Sequence, residues 1–135
     1  MAEEKFFFRK AENGEWVIKE ELVTAEAEKI ANELVGDNPR KPDLKSSQLR
    51  KFYMEVKALE DRVKAEEKFD RIKPLIKMLK VKVNYQRGRG LVPPKFVEFI
   101  TKCVDNVNDR EDFKAFVMHF EAVVGYYYGK AEKFD

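Results

Sequence analysis

The sequence predicts an all-α fold, a single compact domain of about five helices, with a short N-terminal hairpin or extended arm ahead of it. Three observations lead there. Apolar residues recur at three- and four-residue steps in successive stretches between residues 25 and 127. No sustained period-two run occurs outside the first 22 residues. The breaks between stretches carry helix-ending or helix-starting residues: Gly36, the Pro39 to Pro42 segment, Gly88 with Gly90, Pro93-Pro94 and Asp109. At 135 residues the chain suits one domain and can hold a core without staples.

Residues 1–22 form the arm and residues 23–135 the helical domain. In the arm, Phe6-Phe7-Phe8 and Trp16-Val17-Ile18 flank Asn13-Gly14, the strongest short hairpin signal. An arm that orders on a partner fits the same residues. The first helix runs from about Ala25 to Val35, with Thr24 as N-cap, Gly36 as left-handed terminator, and Ala27, Ile30, Ala31 and Leu34 as its apolar stripe. The second begins after Ser46 or Ser47, either of which can cap it, and carries Leu49, Phe52, Tyr53, Val56, Leu59 and Val63. It ends or kinks between Lys64 and Phe69. A third then starts near Arg71 or Lys73, since Pro74 suits a first turn; one long kinked helix is the other reading. Leu75, Ile76, Leu79 and Val83 form its apolar side. Pro93-Pro94 opens the fourth and Asp109 caps the fifth, whose stripe from Phe113 to Tyr127 places it at the centre of the core.

The residues for catalysis are missing. Cys103 is the single cysteine, so it forms neither an intramolecular disulfide nor a thiolate cluster, and its apolar neighbours mark it as a core residue. His119 is the single histidine and reads as a packing residue. Gly88-x-Gly90 follows a helix and lacks the rest of a phosphate loop. The acidic pairs Glu60-Asp61 and Glu66-Glu67 lie on a polar helix face. No enzyme activity, cofactor or metal is therefore expected. No stretch nears the roughly 20 apolar residues of a membrane helix, and Phe6-Phe7-Phe8 is too short for a signal-peptide core, so a cytoplasmic location without membrane contact is expected.

The net charge of +2 conceals a strong segregation. Residues 46–90 carry 13 basic and 6 acidic residues, a net of +7, while both flanking thirds are net negative. Residues 71–90 hold seven basic residues and no acidic one. Lys73, Lys77, Lys80, Asn84 and Arg87 follow one another at steps of 4, 3, 4 and 3, which return to one helix face over roughly 21 Å. Lys82 and Arg89 extend the charge towards the glycine loop, and Arg50, Lys57 and Lys64 form a second row on the preceding helix. Such rows suit a phosphate backbone, read without sequence preference. Tyr85 is expected in the core, with stacking on a base as the alternative.

Three ordered blocks add a resemblance: Ser47-x-Leu49-Arg50-Lys51-Phe52-Tyr53; Lys80-x-Lys82-x-Asn84-Tyr85-Gln86-x-Gly88-Arg89; and Phe113-x-x-Phe116-x-x-x-Phe120-Glu121-Ala122-Val123-Val124-x-Tyr126-Tyr127. In this order and spacing, over about residues 46–129, they resemble the small subunit of type III-A (Csm) CRISPR interference complexes. The resemblance implies a helical, non-catalytic subunit repeated along a ribonucleoprotein filament. Its partners would be guide RNA, target RNA, other effector subunits and copies of itself. It places Arg50, Lys51, Lys80, Lys82, Arg87 and Arg89 towards RNA, overlapping the rows that supply Lys57, Lys73 and Lys77. A helical protein–protein adaptor that offers its basic face to an acidic partner is the competing reading; an enzyme with an unfamiliar carboxylate site is a third.

Overall fold

The structure is a computed structural model that describes residues 4–65 and 68–131. The Glu66-Glu67 pair lies outside the described residues. Among these, two short antiparallel strands, β1 (Phe8–Lys10) and β2 (Trp16–Ile18), lead through a 3-10 turn at Glu20–Val23 into five helices. The helices are α1 (Ala25–Val35), α2 (Ser46–Lys64), α3 (Phe69–Gly88), α4 (Pro94–Asp105) and α5 (Arg110–Lys130). The mostly helical fold expected from the periodicity is the one observed. Among the described residues no helix is long and apolar enough to cross a membrane.

The hairpin pairs Phe8 with Ile18 and Lys10 with Trp16. Its turn is not the two-residue type that Asn-Gly usually signals. Gly14 N–H donates to the Ala11 carbonyl at 2.9 Å and Ala11 N–H to the Glu15 carbonyl at 2.8 Å, which leaves a three-residue loop. Gly14 takes φ +87°, as the left-handed residue of that loop class must. Phe7, just before β1, is fully buried and fixes the hairpin to the helices.

Two expected caps are absent, and each absence has a local cause. The Thr24 hydroxyl donates back to the Glu20 carbonyl at 3.0 Å, so it serves the 3-10 turn and not α1. Helix α2 starts one residue early, with Lys45 as N-cap and both serines inside the first turn. Leu44 sets that start: its N–H donates to the Leu34 carbonyl at 2.9 Å and its carbonyl accepts the buried Tyr127 hydroxyl at 2.6 Å. Gly36 does end α1, at φ +76°, and a Cβ there would run into the Asp43 carboxylate.

Helix α3 is separate from α2: Lys68 is extended, so there is no single kinked helix. It begins at Phe69, ahead of the expected Arg71, and puts Pro74 in its sixth position. The proline forfeits one main-chain bond there, and the fully buried Ile72 holds the extra turn in place. Helix α5 opens on a full capping box. Asp112 N–H donates to the Asp109 carboxylate at 2.8 Å, and the Asp112 carboxylate accepts from Asp109 N–H at 3.3 Å.

Helix α5 runs through the core as its stripe predicts. Phe120 is fully buried, with ring centroids of Tyr53, Phe96, Phe99 and Phe116 all between 5.5 and 6.3 Å away. These rings come from α2, α4 and α5, so one side chain ties three helices together. His119 is a core residue, 1% exposed, with Nδ1 on the Leu22 carbonyl and its ring edge on Phe99. Burial pulls its pKa below the ordinary histidine value. Cys103 is also buried, and burial pushes its thiol pKa up, so the thiolate is not formed near neutral pH.

Phe120→Ala is expected to cost about 3–5 kcal/mol in urea unfolding, because the emptied ring site is lined from three helices. For His119 the unfolded chain binds the proton more readily than the folded one. Stability should therefore fall as pH drops below about 6.5, by at most about 1.4 kcal/mol per pH unit from this group. The gap between wild type and His119→Asn, measured by thermal unfolding, should narrow over that range.

Candidate nucleic-acid interface

Helices α2 and α3 lie side by side, and the Lys82 ammonium meets the Glu55 carboxylate across them at 3.0 Å. The start of α2 therefore sits beside the end of α3. Helix α3 also packs on α4, and this second neighbour changes the row of cations expected along its face. Lys77 is half-buried and its ammonium donates to the Val104 and Val107 carbonyls at 2.6 and 2.8 Å, closing the C-terminal end of α4. Burial, and then the neighbouring Lys73 charge, lower its pKa. Lys80 pairs with Asp105 at 2.6 Å, and the Asn84 amide donates to the Lys80 carbonyl. Lys57 on α2 pairs with Glu60 at 2.6 Å, and that hydrogen bond raises its pKa. The middle of the α3 row is thus engaged with α4, which the one-helix view of the sequence did not show.

The two ends of the rows differ from the middle. Arg50, Lys51 and Arg87 are exposed and Lys73 is half-buried, and none of the four has a carboxylate partner among the described residues. Arg89 is exposed, with its guanidinium 5.8 Å from the centre of the Tyr85 ring. Arg50 and Lys51 stand at the start of α2, beside the end of α3 that carries Arg87 and Arg89, whereas Lys73 lies at the far end of α3.

A cavity of about 650 Å³ opens at this end. Arg50, Ser46, Ser47, Gly90 and Leu91 line it, together with Arg40, Lys41 and Lys45 from the loop before α2. Those three loop cations were not singled out from the sequence. The available signal was density: residues 40–51 hold five basic residues and one acid. A smaller groove of about 260 Å³ between α2 and α3 is lined by Lys51, Glu55, Val81, Lys82, Tyr85 and Gln86.

The apolar side of α3 also needs revising. Ile76, Leu79 and Val83 are buried as expected, but Leu75 is 38% exposed. Tyr85 is no core residue: it is 63% exposed, on the groove that α3 forms with Lys51, Phe52 and Glu55 of α2. Among the described residues no group of three or more His, Cys, Asp or Glu side chains could hold a metal ion.

The engaged lysines are expected to matter for stability in unequal degree. Lys77→Met should cost about 1–3 kcal/mol in urea unfolding, since two carbonyls lose a charged donor. Lys80→Met, which breaks a largely exposed pair, should cost under about 1 kcal/mol.

Comparison with known proteins adds the family. The family model described as Csm2 Type III-A matches residues 18–132, most of the chain and both basic helices with it. No curated protein and no solved structure gives a match. The helical fold and the family model agree with the resemblance carried by the three sequence blocks: the chain belongs to the Csm2 family, the small subunits of type III-A CRISPR effector complexes.

Proposed function

We propose that this chain is a non-catalytic, RNA-binding subunit that lines a type III-A ribonucleoprotein filament in the cytoplasm. It would sit beside further copies of itself and the other subunits, and touch guide and target RNA through phosphate. The observation that carries this reading is the cluster at the open end of α2 and α3. There Arg50, Lys51 and Arg87 are exposed without a carboxylate partner among the described residues, and Arg50 lines one cavity with the loop cations Arg40, Lys41 and Lys45. Guanidinium groups on two helix ends and a loop can each meet a phosphate with parallel N–H donors. Such contacts set position and charge and carry little sequence information. Lys80, Lys82 and Lys57 would have to exchange an existing carboxylate for phosphate, so they contribute less. Lys77 holds α4 and contributes structure. A single copy would bind weakly, and copies along a filament would share the affinity.

The test is fluorescence anisotropy with a single-stranded RNA over a salt series, using wild type and the Arg50→Ala, Arg87→Ala, Arg89→Ala triple variant. With four phosphates neutralised, log K should fall against log salt with a slope of about −2.8, and the triple variant should flatten that slope by about 2. Equal affinity and slope for the two proteins, at unchanged helicity, would remove this surface from RNA binding.

A further inference from the structure

The groove beside the cation cluster has a different chemistry from a phosphate site. Its rim is an aromatic ring, Tyr85, 63% exposed on a helix whose other large side chains are mostly used in packing. Cations stand around that ring. Arg89 lies 5.8 Å from its centre, and Lys51 and Lys82 line the same groove. Gln86, which also lines it, is only 8% exposed, yet its Oε1 has no hydrogen-bond partner among the described residues. A buried amide oxygen without a donor costs stability unless something supplies one. Glu55 is the one acid lining the groove among the described residues, and Lys82 already neutralises it.

A flat exposed ring, a buried amide lining the same groove, and flanking cations match one ligand class: an unpaired nucleobase with its own phosphates. We propose that this groove receives a single unstacked RNA base, laid on the Tyr85 ring with the Gln86 amide at its edge, while Lys51 and Arg89 hold the adjoining phosphates. A paired base keeps its faces inside the helix stack and cannot reach the ring, so the site selects single-stranded over duplex RNA. Stacking tolerates every base, in keeping with a protein that must accept any guide or target. The exposed Val81 in the same groove is apolar enough to meet a protein surface, but it does not account for the unpartnered amide oxygen or the flanking cations.

This inference rests on the RNA-binding reading, and the experiment separates the two. Affinities are measured by anisotropy for a single-stranded RNA, the same oligonucleotide with abasic positions, and an RNA duplex, using wild type, Tyr85→Ala and Tyr85→Phe. Sedimentation of each variant checks self-association. Wild type should prefer the intact single strand over the abasic one by about fivefold to a hundredfold, the range that one base–ring stack supplies. Tyr85→Ala should erase that preference while leaving abasic and duplex binding unchanged, and Tyr85→Phe should keep it. If Tyr85→Ala keeps the preference for bases, the base site is wrong, and the phosphate surface stands on its own salt dependence. If Tyr85→Ala changes only the oligomeric state, the face belongs to a protein contact and the base site is again overturned. If wild type binds no RNA at all, both readings fall.

Discussion

The structure depends on the burial of one ring. Phe120 sits among Phe96, Phe99, Phe116 and Tyr53, and through them α2, α4 and α5 are held in a single orientation. Close packing of rings leaves little room to slide or rotate a helix without opening a void. Once Phe52 and Tyr53 point inward, helical geometry turns Arg50 and Lys51 outward, because they lie on the opposite side of the same turn. The exposed position of these cations is in this sense a consequence of the core.

Around that cluster the remaining pieces are tied down by buried polar bonds. Tyr127 reaches the Leu44 carbonyl, which fixes the loop before α2 and with it the position of Arg40, Lys41 and Lys45. Lys77 does comparable work for α4. The Val104 carbonyl in its last turn and the Val107 carbonyl just beyond it both accept from an ammonium of α3. Positive charge at a helix C-terminus is also favourable for the dipole. A lysine that serves a helix end in this manner is part of the scaffold, although in sequence it stands in register with residues that face solvent.

That distinction explains the division of labour among the cations. The α3 row has one period, but three environments cross it. The α4 terminus takes Lys77 and Lys80, α2 takes Lys82 through Glu55, and the open end leaves Arg87 and Arg89 in water. Family membership places the chain in a type III-A complex. The contrast between engaged and open cations then bears on which of them can meet a phosphate without first leaving a carboxylate.

Much of this was legible in the sequence. The apolar periods located all five helices, Gly36 and Asp109 marked ends correctly, and the Phe113 to Tyr127 stripe identified the central helix. These are local properties: backbone sterics, capping chemistry and the 3.6-residue repeat act within a few neighbouring residues. What tertiary packing alone decided was which helix lies beside which. It set the start of α2 at Ser46, with both serines inside the first turn, drew Lys77 beneath α4, and left Tyr85 in solvent when its spacing allowed a core position. A helix presents the same residues on a face whatever it packs against, so the pattern names the face, and only the neighbour determines whether that face is covered.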